Sequence, residues 1–545
     1  MEPDLTIGAR CPSVTGGTGS DAVTTANARA VTHLRILASL AIAVLIGACA
    51  SVDFSYPKPA SHAISPLEAA ETSLGQNATA LASQHPEVSG FVLLLDGIDA
   101  LAARLVAARK AERSIDAQYY LINNDTVGFA FIGALLQAAD RGVRVRLLLD
   151  DIQTQGYDVG LAALDAHPNF EVRMFNPFAG RSSRIGDGLT DFSRVNRRMH
   201  NKSFTVDNQL TIIGGRNIAD EYFGARKDVN FGDADVAGIG PVVQDVSTMF
   251  DLYWNHEAAV PVPGFADMPD DPAAALGDLR ALIETRMDEA RTTQYAEALE
   301  TDYLSYMTRD NGIHLTWAPW ELVYDSPDKY ARPLASTEQS IVSSLSAAID
   351  RASDGIVVIS PYFVPRSSGI DYFRQLRDRG LHVKVITNSL AANNHGVVHA
   401  GYAPSRKELL RMGVELYEVK ATKAVRGSER GGSGASLATL HTKAFIVDDR
   451  ELFIGSFNWD PRSVNINTEL GVIIKSPELG HEVLSQMQSQ LDERTYEVVL
   501  NEQDQLRWVD NEGAEPVIHD REPDTSWWRR TKAMLGRLLP IRGQL

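Results

Sequence analysis

Two short segments of this chain carry the same residue types at the same spacing. HNKSFTVDNQLTIIGGRN begins at His200, and HTKAFIVDDRELFIGSFN begins at His441. In each, a histidine and a lysine stand two apart (His200 and Lys202, His441 and Lys443). An aspartate follows a short apolar run (Asp207, Asp448), and a Gly-Gly or Gly-Ser pair comes shortly before an asparagine (Asn217, Asn458). On a strand, positions i and i+2 project to one face, so each imidazole and its ammonium converge on one pocket. Such a pocket suits an anion. Lysine holds a phosphate oxygen as a point charge, histidine serves as nucleophile or general acid/base near neutral pH, and asparagine offers neutral donors to phosphoryl oxygens. Asp207 and Asp448 directly follow FTV and FIV, where a turn aspartate is the default, so they are expected mainly to hold loop and strand together. Taken singly, each residue has an ordinary explanation as a polar cap or a surface charge. Repetition of the whole set is what removes those explanations.

The elements that must position these residues repeat too. The patterning predicts a helix over 97–112, a strand over 114–122, a helix over 128–141 and strands over 143–149 and 170–175. At an offset of about 240 residues, the interval that also separates His200 from His441, the order returns. There it reads as helices over 340–352, 370–379 and 406–412 and strands over 355–360, 382–387 and 414–419. DRGVRVRLLLD at 140–150 overlies DRGLHVKVITN at 378–388, and NFEVRMF at 169–175 overlies GVELYEV at 413–419. Strands separated by such helices indicate βαβ units and a mostly parallel sheet, here in two similar α/β halves rather than a repeat array. The expected halves are residues 90–260 and 331–500. Residues 261–330 are expected to connect them as a helical, acidic insertion, of which 261–313, acidic and helical in pattern, are expected to carry little function.

The 545 residues, 44% apolar and 22% charged, suffice for two ordinary domains or one large one. Acidic residues outnumber basic ones, 70 against 52, for a formal charge of −18, which disfavours a general nucleic-acid binder. The two cysteines, Cys11 and Cys49, leave no disulfide scaffold or cysteine-ligated metal for the folded part. Residues 34–48 read LRILASLAIAVLIGA, of signal-peptide length and short for a bilayer span. With Cys49 they resemble a bacterial lipoprotein signal, in which Cys49 becomes the acylated N-terminus. The plainer alternative is an uncleaved anchor or a buried helix. Residues 1–48 therefore form a signal or anchor segment. Residues 49–89 form a tether and lead-in, Pro-, Ser- and Ala-rich through 65. Residues 501–545 form a basic amphipathic tail.

With its two HxK…D motifs, the chain resembles the phospholipase D superfamily over about residues 90–500. The resemblance implies two α/β halves in a pseudo-two-fold arrangement with one active site between them and no metal or cofactor. It places His200, Lys202 and Asp207 in the first motif and His441, Lys443 and Asp448 in the second, with Asn217 and Asn458 at the phosphoryl group. By analogy His200 is the nucleophile that forms a phosphohistidine and His441 the general acid/base, although pseudo-symmetry allows the exchange. The resemblance also implies an orienting carboxylate for each histidine, given across the halves: Glu469 for His200 and Asp233 for His441, with Asp235 the rival of Asp233.

Nucleases, phospholipases and phosphatidyltransferases share this chemistry, so the motif pair does not choose the substrate. GGRNIADEYFG at 214–224, HAGYAPSRKELLRMGVELYE at 399–418 and GSFNWDPRSVNINTELG at 455–471 resemble bacterial cardiolipin synthases, and the ending from Glu522 to Ile541 resembles the tail of the cardiolipin synthase C subgroup. In that tail Trp527, Trp528, Met534, Leu535, Leu538, Leu539 and Ile541 interleave with Arg529, Arg530, Lys532, Arg537 and Arg542, the pattern of an interfacial helix on anionic lipid. The expectation is a phosphatidyltransferase that makes cardiolipin from phosphatidylglycerol and a second phospholipid. Its partners would be phospholipids and a membrane surface, with no nucleic acid and with any small accessory protein left open. Its place would be the bacterial cell envelope, anchored at Cys49, inner or outer membrane undecided. The alternatives are a hydrolytic phospholipase D and, in another class, a non-catalytic lipid-binding lipoprotein. The segments 180–198 and 426–436, polar and apparently loop-like, are expected to line or cover the entrance.

Overall fold

A computed structural model describes residues 52–181, 184–226, 229–291, 314–333, 340–393, 396–421 and 437–536. Cys49 with its apolar run, the segment 426–436 and the tail beyond residue 536 lie outside the described residues.

Strands of the first half are β1 (Ser89–Leu94), β2 (Ser114–Tyr119), β3 (Arg144–Asp150), β4 (Phe170–Phe175), β5 (Ser203–Val206), β6 (Leu210–Gly214), β7 (Val229–Gly232), β8 (Asp235–Ile239), β9 (Ala259–Pro261) and β10 (Thr316–Ala318). The second half contributes β11 (Trp320–Tyr324), β12 (Gly355–Ile359), β13 (His382–Asn388), β14 (Glu415–Val419), β15 (Leu437–Leu440), β16 (Ala444–Val447), β17 (Glu451–Gly455), β18 (Leu470–Lys475), β19 (Thr495–Leu500), β20 (Leu506–Asp510) and β21 (Val517–His519). One sheet has the order β10-β1-β8-β6-β5-β2-β3-β4-β9 and the other β11-β18-β17-β16-β12-β13-β14-β19-β20-β21. From β1 to β9 and from β11 to β19 the two orders correspond strand for strand, with the same sense at each pairing. The duplication read from sequence is therefore a duplication of topology.

The expected mostly parallel sheet is instead mixed. Within these two sheets the parallel pairings are those of β2-β3-β4 and β12-β13-β14, joined by helices such as Thr126–Asp140 and Arg366–Asp378. On their other flank each HxK segment opens an antiparallel hairpin, β5–β6 or β16–β17. Both hairpin turns place two successive residues at positive φ, Asp207 (50°) and Asn208 (51°), and Asp448 (52°) and Asp449 (54°). Asn and Asp tolerate this left-handed turn, which matches strand twist and needs no crossover helix.

The sheets pack face to face. Phe91, Ile213 and Val236 of the first meet Ala444, Ile454, Leu470 and Val472 of the second in one apolar cluster, and separate clusters lie under the outer helices of each half. Burial of this shared layer is what fixes the halves against each other.

The tether expected before residue 66 is a strap bound to the first half. Lys58 donates to the carbonyls of His256 (2.6 Å) and Ala259 (2.7 Å), and the buried Arg146 and Arg173 donate to those of Ser61 and Pro59. Proline-rich backbone lacks its own ladder, so its carbonyls are free to satisfy buried guanidinium groups. The connecting segment also differs from expectation. Helix Pro272–Ala290 packs on Thr126–Asp140 through Ile283, which reaches Gly133, while residues 316–324 already belong to the two sheets. The second sheet in turn runs on to His519, well into the expected tail.

Candidate active site

Each HxK segment is clamped at both ends. Asp207 accepts the backbone N–H groups of Glu112 (2.9 Å), Arg113 (2.7 Å) and Ser114 (2.9 Å), which open β2. Asp448 does the same for Ser353, Asp354 and Gly355 at the start of β12. Either aspartate stands five positions beyond its lysine, roughly 16 Å along a strand at the usual rise. The hydrogen bonds of both carboxylates lock the hairpin to the central strand, as expected of a turn aspartate. At the other end, Met199 N–H donates to Asp150 (2.8 Å), and Leu440 N–H donates to Asn388 (3.1 Å), the last residues of β3 and β13.

The histidines then cross between halves. His200 N–H donates to the carbonyl of Thr468 (2.9 Å), and its Nδ1 meets Oε2 of the next residue, Glu469, at 2.8 Å. His441 N–H donates to the carbonyl of Gly232 (2.7 Å), and its Nδ1 meets Oδ2 of the next residue, Asp233, at 2.6 Å. Behind the second contact, β15 pairs in parallel with β7. Asp235 is elsewhere, taking Arg104 Nη2 at 2.8 Å and Arg216. Gly215 explains why Asp233 fits: a Cβ there would overlap the Asp233 carboxylate.

The electrostatics select one protonation state. Burial, with Lys202 and Lys443 beside it, pulls His200 down to about 4 against the opposing Glu469. Burial and Lys443 pull His441 down to about 3. Burial works to raise Asp233 and Glu469, but Lys443 and His441 outweigh it for Asp233, held at about 2, and His200 and Lys202 do so for Glu469. Both pairs thus rest as a carboxylate and a neutral imidazole that donates Nδ1–H, with the Nε2 lone pair turned away from the carboxylate and, at His441, 3.1 Å from Lys443 Nζ. Burial also lowers both lysines, Lys443 to about 8. Lys202 Nζ donates to the His200 carbonyl (2.6 Å), and Lys443 Nζ lies against the His441 ring and carbonyl.

Asn217 and Asn458 are buried, and each has an amide oxygen without a hydrogen-bond partner. A buried unpaired polar atom is costly, and turning either amide presents N–H donors instead, so the pair is shaped for oxygens that arrive with a ligand. Tyr120 packs edge-on to His200 (4.8 Å between centroids), and Tyr222 edge-on (4.9 Å) and Phe231 stacked (5.1 Å) on His441.

Several residues escaped the sequence reading. Glu469 also accepts the hydroxyls of Ser456 and Ser463. Its N–H donates to Asp325 (2.9 Å), which is paired with Lys329 (2.9 Å), and Lys329 in turn donates to the Ser463 carbonyl (2.9 Å). Asp325 and Lys329 lie at the end of the expected connecting segment, 261–330. Their i,i+4 spacing was the available signal, and it looks like any surface ion pair. Asp325→Asn should lower kcat roughly 10- to 100-fold, the usual cost of losing an orienting partner, and leave KM within about twofold because no phosphate contact is touched. Steady-state kinetics on lipid would show it; a change confined to KM would contradict the role. The segment 180–198 also differs from the expected flexible loop. It forms helices Ile185–Thr190 and Phe192–Val195, and Arg181 and Arg184 pin it to the buried Asp151.

The family described as "Cardiolipin synthase, PLD-like domain" matches residues 105–254 and 345–493, once in each half. The chain is 43% identical over 464 residues to cardiolipin synthase C of Escherichia coli, covering 85% of this chain and 97% of that one. It is 32% identical over 469 residues to an uncharacterized protein of Helicobacter pylori, covering 84% and 90%. Among solved structures, the phosphatidylserine synthase of Haemophilus influenzae superposes with a TM-score of 0.51 at 14% identity, over 77% of this chain and 92% of that one, a likeness of fold. With the same family matched on both sheets, each match holding one histidine and the carboxylate of the other, the chain belongs to the cardiolipin synthase, PLD-like domain family of the phospholipase D superfamily.

Proposed function

We propose that the protein is a phosphatidyltransferase that moves the phosphatidyl group of one phospholipid, phosphatidylglycerol or another, to a hydroxyl of a second lipid's glycerol head group, giving cardiolipin. The observation that carries this reading is the pair of buried neutral imidazoles, each held through Nδ1 by a carboxylate of the opposite half, in a chain similar to a cardiolipin synthase. His200 Nε2 attacks phosphorus, the bond to the departing glycerol oxygen breaks, and His441 gives that oxygen a proton. The acceptor hydroxyl then loses its proton to His441 and attacks the phosphohistidine, which frees His200. Lys202, Lys443, Asn217 and Asn458 surround the phosphoryl oxygens and stabilise charge that develops in the transition state, each donor worth a few kcal/mol at ~3 kcal/mol apiece.

His441 must be protonated to act as the acid, yet it is neutral in the free protein. The bound phosphodiester supplies the missing bias: a negative charge against the imidazoles favours their cationic form and raises their pKa. Binding of phosphatidylglycerol should therefore take up a proton, more per site as pH is lowered from 7 towards 5. Calorimetry in buffers of different ionisation enthalpy measures the uptake, and proton release would contradict the assignment.

The membrane side of the reading rests on the ends of the chain. Among the described residues no helix is long and apolar enough to cross a membrane. Helix Trp527–Gly536 leaves Trp527 70% and Trp528 54% exposed beside Arg529, Arg530 and Lys532, which fits an interface with anionic lipid. Trp527→Ala and Trp528→Ala should each weaken binding to phosphatidylglycerol vesicles roughly tenfold, as loss of an interfacial aromatic does. Vesicle sedimentation tests it, and unchanged binding counts against this surface. A lipid on Cys49 would anchor the protein in the cell envelope, three positions in sequence before Val52.

Purified protein incubated with phosphatidylglycerol, with and without phosphatidylethanolamine, gives the direct test by lipid mass spectrometry. Cardiolipin supports the transferase. Phosphatidic acid alone makes the protein a hydrolase, and unaltered lipid removes the reading.

A further inference from the structure

A cavity of about 590 Å³ lies in the second half, away from the histidines themselves. Its walls are helix Ile341–Asp350, the start of helix Arg366–Asp378 and the segment 457–465, and Val342, Leu345, Ile349, Tyr372, Trp459 and Val464 give it an apolar interior. That volume is in the range of pockets that enclose an organic ligand.

Two of the walls begin at the active site. Asn458, at the phosphoryl position, stands between Phe457 and Trp459, which both line the cavity. Tyr362 faces His441 with ring centroids 6.3 Å apart, and two residues on Val364 lines the cavity. The walls are stitched together there, since Val364 N–H donates to the Trp459 carbonyl (2.8 Å) and Trp459 N–H to Ser360 Oγ (3.1 Å). Gly369 completes the fit, because a Cβ there would press on Pro365 at 2.9 Å and sit 3.6 Å from Trp459 Nε1.

The lining does not suit a second polar head group. Arg366 and Asp460 are its charged members, and Asp460 is buried as the cap of the next helix, accepting Ser463 N–H at 2.9 Å. Burial pushes that carboxyl up to about 6, the mark of an apolar setting. Ser367 and Ser368 at the rim are exposed. The site beside it holds the lysines and asparagines that suit phosphate, with a smaller cavity of about 270 Å³ against Gly232, Asp233 and Thr442.

We propose that this cavity takes a fatty acyl chain of the phospholipid whose phosphate lies on His200 and His441. The assignment rests on the phosphatidyl-transfer reading and adds to it the place of the chain. Acyl length and bulk then govern KM, while the chemistry at phosphorus is insensitive to them.

Ser346→Trp and Val342→Trp narrow the cavity from half-buried positions on one helix, away from the catalytic groups. In the full-length protein, KM for dioleoyl phosphatidylglycerol should rise about tenfold in each, and KM for the dihexanoyl lipid should stay within about twofold. Equal effects on both lipids, or none on either, overturn the assignment. A binding measurement separates this from the reaction itself: dibrominated-chain phosphatidylglycerol should quench a fraction of the tryptophan emission that is absent from Trp459→Phe. That difference in a protein that turns over no lipid would sink the transferase reading and keep the cavity. Its absence in an active protein would sink the cavity and keep the transferase.

Discussion

Alanine in place of His200 should abolish phosphatidyl transfer, with an expected loss of about 10⁵- to 10⁶-fold, because it removes the group proposed to form the covalent intermediate. His441→Ala should fall less, by about 10³- to 10⁴-fold, the usual scale for one general acid/base. The two variants differ in what they accumulate. With His441 missing, the slow first step still leads to a phosphatidyl-enzyme whose resolution is also slow, so an acid-labile phosphohistidine should be found at His200 by mass spectrometry of the quenched protein. With His200 missing, nothing should accumulate at His441. Covalent phosphate at residue 441 in the His200 variant would reverse the two roles, which the matched surroundings of the histidines make a clear question. Both side chains are buried and neutral, so alanine leaves no unpaired buried charge on the imidazole side. The folded structure should survive.

Glu469→Gln should cost about 10³- to 10⁴-fold in kcat, although the change is nearly isosteric. The carboxylate fixes the Nδ1–H tautomer of His200 and stabilises the positive charge that the ring gains as phosphorus is attacked, and an amide does neither reliably. Around it the hydrogen bonds can be kept. Ser456 and Ser463 now donate to the two carboxylate oxygens, and either hydroxyl can turn to accept from an amide nitrogen. The loss of stability in denaturant titration should then come from the buried Lys202, which loses the charge of Glu469, rather than from broken hydrogen bonds, while turnover collapses. Asp233→Asn should lose comparable activity and more stability, because Lys443 lies 3.8 Å from that carboxylate and would be left buried without its counter-charge. A Glu469 variant that kept a tenth of normal turnover would remove the carboxylate from the mechanism.

The chemistry of the site was more legible in the chain than its scaffold. The HxK segments and the asparagines could be placed because types and intervals repeat, and the acids Glu469 and Asp233 only through the resemblance to the phospholipase D superfamily. The central strands and helices carry strong periodicity, and β4 and β14 lie within a residue of where the pattern set them. The antiparallel hairpins β5–β6 and β16–β17 are what the expectation of a mostly parallel sheet leaves out. Four- and five-residue strands show too little alternation to reveal their direction, and only the left-handed turns at Asp207–Asn208 and Asp448–Asp449 do so. The strap at 52–65 reads as a linker because its partners, Arg146 and Arg173, are far away in sequence and give no local sign. Asp325 and Lys329 were hidden for the same reason.

The exchange of acids between halves has a consequence for how such a chain could arise and work. Neither half is a spare: each owns a histidine that only the other can orient, so one copy alone has no complete catalytic pair. A single-half ancestor could be active only as a symmetric dimer in which each copy lent its carboxylate to its neighbour, and its activity would vanish on dilution below the dimer's dissociation constant. Fusion into one polypeptide makes that encounter intramolecular, at an effective concentration of the order of millimolar. It also releases the two halves from identity, so that one acid could become a glutamate set among serines and the other an aspartate set against a lysine.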